Sequence, residues 1–273
     1  MKFEDFLKSI RAINCALASA GVFVGHSVAN GSIILSEELF LGMFVAFSIT
    51  AAGNLINDYF DYAIDRKMGK QNPLINEEKD RQKILRFSII LFAVGLWGSS
   101  LLNSEAFGLS ALAVIVLLLY SSVMRELKYV GNLFVALGTS LTLVFGASII
   151  GNYELIVYFA VSAFFANWAR EIIKDAEDIS GDEGVKKTLP MIMSTSKIKF
   201  TVITLYSLAI GIALSAWGLG LITGPYYILI ILISAALFFV SWDFLNKKKL
   251  WKAQQYSKHA MMTALIAFLA AAI

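Results

Sequence analysis

Residues 39–65 have the sequence LFLGMFVAFSITAAGNLINDYFDYAID. The first part of this stretch, 39–56, contains no charged side chain, and about 20 mostly apolar residues are enough for a helix to cross the ~30 Å hydrocarbon layer of a membrane. Asp58, Asp61 and Asp65 follow at intervals of three and four residues, which places them on one face of a helix. The stretch therefore predicts a membrane-spanning helix that continues beyond its apolar part and carries a row of carboxylates there.

The whole chain of 273 residues has a composition typical of membrane proteins. Hydrophobic residues make up 58% and charged residues 16%, and the mean hydropathy is +0.71, whereas soluble domains have ~45–50% apolar and ~25% charged residues. Nine apolar runs are found, at 13–30, 39–56, 84–102, 107–124, 131–150, 154–172, 200–218, 225–245 and 257–273. We therefore expect an all-α fold, a polytopic bundle of nine transmembrane helices forming a single domain over residues 1–273.

The basic residues indicate how this bundle is oriented. All 23 Lys and Arg residues fall in the N-terminal segment or in alternate connections between the runs, counted with the adjoining helix edges, and cytoplasmic loops of membrane proteins collect such residues. We expect a protein of the cell membrane with its N-terminus on the cytoplasmic side and a cap of loops and short helices there. The amphipathic opening MKFEDFLKSIR is typical of a helix that lies on the membrane surface. The single cysteine excludes a disulfide framework and a cysteine-based zinc cluster, and the small net charge of +3 suggests no nucleic-acid partner.

A second group of carboxylates follows the sixth apolar run. Asp175, Asp178 and Asp182 repeat the spacing of the first group, although Gly181 is a candidate helix end before Asp182. Carboxylates packed this closely repel one another unless a cation neutralises them. Mg²⁺ prefers oxygen ligands and usually binds one or two carboxylates together with substrate phosphates. The two groups therefore predict a Mg²⁺–diphosphate clamp at the cytoplasmic side.

Several motifs resemble those of one family. Asn57-Asp58-x-x-Asp61-x-x-x-Asp65 is similar to the NDxxDxxxD signature of the UbiA superfamily of intramembrane prenyltransferases, and the five residues from Asp178 to Asp182 are similar to its DxxxD motif. Weaker similarities, in the expected order, are Arg11-Ala-Ile-Asn14, the stretch 120–125 and the KTLP sequence at 187–190. The resemblance covers nearly the whole chain, and nine helices is the number found in this family.

The resemblance implies a Mg²⁺-dependent enzyme that transfers a prenyl group from an isoprenyl diphosphate to a lipid or aromatic acceptor. It implies catalytic and metal-binding roles for Asp58, Asp61, Asp65, Asp178 and Asp182, whereas the spacing alone adds Asp175 to the metal ligands. The implied diphosphate-binding residues are Asn14, Asn57, Lys67, Arg125, Lys128 and Lys187. Beyond its substrates and the surrounding membrane lipids, no obligate protein partner is expected.

The acceptor is less well determined by the sequence. The combination of NDYFD, REIxKDxED, GD and KTLP is most similar to archaeal ether-lipid members of the family, which attach a geranylgeranyl group to the glycerol hydroxyl of geranylgeranylglyceryl phosphate. An aromatic acceptor such as 4-hydroxybenzoate is the alternative, because many such acceptors are also anionic. A transporter is a further alternative, but its charged groups would be expected near the middle of the membrane. The CDP-alcohol phosphotransferases are disfavoured because no DG and AR pairs follow the first aspartates.

Overall fold

The structure is a computed structural model that describes residues 3–67, 78–122, 128–178 and 188–272. All regular elements in these ranges are α-helices, as predicted. They are α1 Phe3–Ser9, α2 Ala12–Asn30, α3 Glu37–Lys67, α4 Glu78–Ser100, α5 Ser104–Ser122, α6 Lys128–Ser148, α7 Ile156–Glu177, α8 Leu189–Ile192, α9 Thr195–Gly218, α10 Pro225–Asn246 and α11 Leu250–Ala270.

Nine of these helices are long, and each coincides with one of the nine predicted runs. Eight of them contain segments that are long and apolar enough to cross a membrane: the six helices α2 to α7, and α9 and α10. The ninth, α11, has 21 residues but begins at Leu250 rather than at residue 257, because its first turns are polar and carry Lys252, Lys258 and His259. It nevertheless packs along the length of α10 and against α7 and α2.

The long helices form two groups, which are joined through α2 and α6. One apolar cluster joins α2, α3, α4, α5 and α6 around Val45, Ile49 and Phe145. Another joins α7, α9, α10 and α11 around Ile173, Tyr206 and Phe238. A third cluster draws on α2, α6, α7, α9, α10 and α11 and connects the two groups. The bundle is therefore continuous, and α2 and α6 lie between its halves.

Glycines allow α2 and α6 to approach closely. A methyl group at Gly25 of α2 would collide with the backbone carbonyl of Leu143, and one at Gly146 of α6 would collide with the carbonyl of Val22. Neither carbonyl can move without disturbing its own helix. Small residues at such crossings let helix backbones make van der Waals contact inside a membrane, so these two glycines set the separation of α2 and α6.

Both groups of carboxylates lie at one end of the bundle. Successive long helices alternate in direction, so the end where α3 stops at Lys67 is also the end where α7 stops at Glu177 and where α2, α4, α6, α9 and α11 begin. We call this the acid-bearing end. The short helices α1 and α8 lie there too, in agreement with the predicted cap.

The opposite end of the bundle is held together by neutral and acidic polar side chains. Asn152 Nδ2 donates to the carbonyl of Ala29 at 3.1 Å, and Tyr153 Oη donates to the Glu105 carboxylate. Burial raises the pKa of Tyr153 to about 12, and the hydrogen bond to Glu105 acts in the same direction. Tyr153 is therefore a permanent donor at physiological pH.

Candidate active site

The first group of carboxylates lies on the last turns of α3. The helix runs without a break through Asp58, Asp61 and Asp65 to Lys67, and the residues between the carboxylates in the sequence are apolar or aromatic. Asp58 and Asp61 are buried, with 8% and 9% of their surfaces exposed, and Asn57 is half-buried. For Asp65 and Lys67 the structure describes the helical backbone only. The first two carboxylates of the row are thus shielded from solvent.

Arg11 is the cation that the structure places against this row. Its guanidinium contacts Asp58 Oδ1 at 3.2 Å and donates to Asn54 Oδ1 at 3.3 Å. Arg11 lies between α1 and α2 in a left-handed backbone conformation, with φ 52° and ψ 59°. Asn54 Nδ2 in turn donates to the carbonyl of Ile10 at 2.7 Å. The junction of α1 and α2 is therefore held against α3 at the position of the first carboxylate.

A second cation approaches α3 from the other side. Arg81 of α4 lies over the Tyr59 ring, with its guanidinium carbon 4.3 Å from the ring centroid. Its Nε donates to the Tyr59 carbonyl at 3.1 Å, and the Tyr62 ring lies 5.6 Å away. A cation over an aromatic face is electrostatically favourable. This contact positions α4, which begins next to the site, and adds positive charge to the acid-bearing end.

The second group of carboxylates lies on α7. Asp175 is fully buried, and its Oδ2 accepts a hydrogen bond of 2.7 Å from Nδ2 of Asn132 on α6. One turn earlier, the buried Glu171 carboxylate contacts Arg170 at 2.6 Å and Lys174 at 3.6 Å. Burying a carboxylate is costly unless its oxygens find donors or cations. These contacts therefore fix the last two turns of α7 as a polar, charge-compensated strip inside the bundle.

The helix α7 ends earlier than Gly181. Its last helical residue is Glu177, and Asp178 follows as the exposed C-cap, with φ −87° and ψ 1° and its N–H bonded to the Lys174 carbonyl. Aspartate favours helix ends over helix interiors because its short side chain competes for backbone hydrogen bonds. Asp178 is thus placed at the end of the row rather than on its buried face.

The remaining predicted site residues are placed as follows. Asn14 lies exposed in the first turn of α2, close to Arg11. Lys128 is the first residue of α6, and the structure describes only its backbone. The residues that lie outside the described part of the chain are Arg125, Asp182 and Lys187.

The oxygen donors at the acid-bearing end suit a magnesium ion but do not surround it completely. Among the described side chains, no three acidic, histidine or cysteine groups converge on one point. The described part of the site therefore offers carboxylates from two helices at one end of the bundle rather than a complete cage. Hard oxygen donors in this number suit Mg²⁺, which keeps several waters and completes its shell with substrate phosphates.

Sequence reasoning missed three residues that the structure brings to these carboxylates: Arg11, Arg81 and Asn132. Arg11 is 47 residues from Asp58 and Asn132 is 43 residues from Asp175. A spacing rule reports only neighbours within one helix. For Arg11 the available signal was its place in the Arg11–Asn14 motif. For Arg81 and Asn132 it was a position in the first turns of α4 and α6, at the same end of the bundle as the acids.

The chain is similar over its full length to a group of archaeal proteins. It is 37% identical to the digeranylgeranylglyceryl phosphate synthase of Thermococcus gammatolerans, over 100% of both chains. It is 32% identical to the protein of the same name from Methanococcus maripaludis, over 98% of both chains.

Solved structures show the same fold. A structure described as that of a digeranylgeranylglyceryl phosphate synthase in membranes has a TM-score of 0.84 and 30% sequence identity, covering 99% of this chain and 98% of the other. A UbiA homologue from Archaeoglobus fulgidus bound to GPP and Mg²⁺ has a TM-score of 0.67 and 19% identity, covering 97% and 99%. At that identity the second similarity shows the fold alone.

The family model of the UbiA prenyltransferase family matches residues 18–270. This range includes both groups of carboxylates, α2 from residue 18 onward and the other eight long helices. The sequence motifs, the helical bundle and the relatives agree with this match: the chain belongs to the UbiA prenyltransferase family.

Proposed function

We propose that this protein transfers a geranylgeranyl group from geranylgeranyl diphosphate to the glycerol hydroxyl of geranylgeranylglyceryl phosphate, releasing pyrophosphate. The proposal is supported by similarity along the entire chain to proteins named digeranylgeranylglyceryl phosphate synthase. The observation that carries it is the set of buried carboxylates on α3 and α7 at one end of the bundle. A membrane protein keeps such groups at a cost, and they are functional by default.

In this proposal the carboxylates of both groups bind Mg²⁺, directly or through water. The ligands are Asp58, Asp61, Asp65, Asp175, Asp178 and Asp182. When bound, the metal stabilises the negative charge that develops on a departing diphosphate. The groups proposed to hold the diphosphate are Asn14, Asn57, Lys67, Arg125, Lys128 and Lys187, supplying hydrogen bonds and positive charge.

The chain itself orients the carboxylates and excludes water. Asn132 holds the carboxylate of Asp175 in place, and Arg11 does the same for Asp58. Below the carboxylates, α3 presents the buried side chains of Leu55 and Ile56. When the C1–O bond of the allylic diphosphate breaks, an apolar surrounding of this kind keeps water from capturing the C1 cation. The glycerol oxygen of the acceptor then forms the new C–O bond and releases its proton.

We place the acid-bearing end on the cytoplasmic side of the cell membrane. The distribution of all 23 Lys and Arg residues supports this orientation. We further treat residues 1–273 as a single domain, because the apolar clusters share α2 and α6 and leave no separate unit among the described residues.

Acceptor profiling of the full-length protein in detergent tests the proposal. Geranylgeranyl diphosphate is offered with either geranylgeranylglyceryl phosphate or 4-hydroxybenzoate in the presence of Mg²⁺, and the product is identified by mass. We expect an ether-linked product from the lipid acceptor and pyrophosphate release only when an acceptor is present. A prenylated phenol would contradict the proposed acceptor while leaving prenyl transfer in place.

A pair of matched variants tests the site. Asp61→Asn removes one charge from the buried row, and Asp243→Asn removes one charge from an acid at the same end that is paired with Lys247. We expect a loss of about 100-fold or more for Asp61→Asn, because a metal ligand contributes several kcal/mol to the barrier, and little change for Asp243→Asn. Full activity of Asp61→Asn, or of the native protein in EDTA, would contradict the metal site.

A further inference from the structure

A pocket outside the candidate active site opens at the hairpin between α10 and α11. It has a volume of about 360 Å³ and is lined by Phe244, Trp251, Lys252, Gln255, Tyr256 and His259. Because α10 ends and α11 begins at the acid-bearing end, the pocket lies where the helices leave the hydrocarbon layer on that side.

The walls of the pocket are largely aromatic. The rings of Phe244 and Tyr256 lie 5.2 Å apart, and those of Tyr256 and His259 lie 6.0 Å apart. The Lys252 ammonium lies 5.6 Å from the centre of the Phe244 ring. Backbone hydrogen bonds from Lys248 to Leu245 and from Lys249 to Phe244 close the turn. The pocket is thus formed by a tight hairpin and by the first three turns of α11.

The hairpin carries an excess of positive charge. Between Pro225 and Ala272 the sequence contains five lysines, at 247, 248, 249, 252 and 258, and a single acid, Asp243. Asp243 contacts Lys247 at 2.6 Å. Lys252, in the wall of the pocket, and Lys249, three residues before it in the hairpin, are both exposed. The charge here complements an anion.

Below the pocket the outer face of α11 is apolar. His259, Met262 and Ile266 follow one another at intervals of three and four residues on one helix face, and Met262 and Ile266 are more than half exposed. Trp251, at the upper rim, is 62% exposed, as is typical of tryptophans at the membrane–water boundary. A ligand that fills the pocket and continues downward therefore meets cations first and hydrocarbon-facing side chains next.

We propose that this pocket binds the phosphate headgroup of an anionic lipid from the surrounding bilayer, with one of its chains along the Met262–Ile266 face. Lys249 and Lys252 would contact the phosphate, and Trp251 and Tyr256 would pack against the glycerol region. Basic residues at this level attract anionic lipids with a substantial energy per charge. The site is separate from the carboxylates of α3 and α7, and the inference does not depend on the reaction that they serve.

Native mass spectrometry of the full-length protein in detergent tests the proposal. The protein is titrated with phosphatidylglycerol, with zwitterionic phosphatidylcholine as the reference lipid. We expect the protein to retain one more molecule of phosphatidylglycerol than of phosphatidylcholine. The double substitution Lys249→Gln with Lys252→Gln should weaken this retention by about tenfold or more. Replacing both residues by arginine should preserve it.

The matched control is the double substitution Lys83→Gln with Lys197→Gln. Both side chains are exposed at the same end of the bundle, on α4 and α9, so the net charge changes equally and retention should stay at the native level. Equal losses in the two double variants would overturn the proposal, since they would indicate attraction by net charge alone. Displacement of the lipid by millimolar inorganic phosphate would also overturn it, as would a dimer in which a second copy of the chain protects the pocket.

Discussion

Asp175 is a carboxylate that solvent does not reach, and it is stabilised across a helix contact. Asn132 of α6 donates to it at 2.7 Å, and Glu171, one turn earlier on α7, is paired with Arg170 and Lys174. Buried polar groups in such a network stabilise the fold only while their partners are present. The loss of one partner leaves the other group buried without compensation for its desolvation. The strength of this network therefore depends on single side chains.

The substitution Asn132→Leu should destabilise the fold by about 1–3 kcal/mol, because the Asp175 carboxylate loses a donor at a position without water. Thermal unfolding in detergent, followed by intrinsic fluorescence, measures the effect. Asn14→Leu is the control: Asn14 is exposed on α2, so its unfolding temperature should stay near the native value. Equal stability of the Asn132→Leu protein would show that Asp175 does not need the amide.

Lys248 has a left-handed backbone with φ 56° and an exposed side chain. Left-handed conformations cost ordinary residues roughly 1 kcal/mol, whereas glycine adopts them freely. Lys248→Gly should therefore raise the free energy of unfolding by about 0.5–1 kcal/mol. This is the net gain after subtracting the cost of the greater conformational entropy that glycine gives the unfolded chain. Lys249→Gly, at φ −91°, should bring no such gain, and an equal rise in both variants would contradict the explanation.

The sequence predicted the carboxylates but not most of their partners. Asp58, Asp61 and Asp175 were identified from spacing along single helices, and the structure shows that all three are buried. Arg11 was known only as part of a motif, and its contact with Asp58 depends on how α1 joins α2 and how α2 lies on α3. Such contacts arise from helix packing, which a periodicity does not encode.

At the scale of helices, α3 and α7 show what periodicity can predict. The continuation of α3 beyond its apolar run is confirmed, since the helix extends to Lys67. It was predictable because the carboxylates and the apolar residues there follow one helical repeat. For α7 the helix end was less predictable: Glu177 is its last residue, four positions before the glycine expected to stop it. Helix ends depend on local competition between side chain and backbone for hydrogen bonds. This competition leaves a weaker signal in the sequence than the apolar pattern of a membrane span.

The crossing of α2 and α6 gives a prediction at this scale. Gly146→Val should destabilise the bundle by about 1–3 kcal/mol, because the added side chain meets the backbone of α2 and forces the helices apart. Gly211→Val on α9 is the control, since a Cβ there has no neighbour within 4 Å. Thermal unfolding of both variants in one detergent makes the comparison, and equal stability would show that the crossing tolerates a wider separation.

At the scale of the whole molecule, the nine spans and their alternating direction were predictable because a membrane imposes one length and one hydropathy on every span. The orientation in the membrane is a prediction that cysteine labelling can check. The single native cysteine, Cys15, is buried and is first replaced by alanine. A cysteine introduced at Lys248 should react with an impermeant maleimide only from the cytoplasmic side, and one introduced at Ile34, exposed at the other end, only from outside.

Labelling of Lys248→Cys from outside intact cells would invert the proposed orientation. Labelling of both positions from one side would instead indicate an even number of crossings between them, contrary to the seven long helices from α3 to α10.

The length of α3 has a consequence for how the two products of the proposed reaction part. Its 31 residues extend about 46 Å, and Asp58 lies about 32 Å along the axis from Glu37, close to the thickness of the hydrocarbon layer. The carboxylates therefore lie at the boundary between the hydrocarbon layer and the aqueous phase. Pyrophosphate formed there dissolves into the aqueous phase at once, while a lipid with two hydrocarbon tails diffuses away sideways. Phase partitioning would then favour the forward direction, because reversal requires both products to meet again at this boundary.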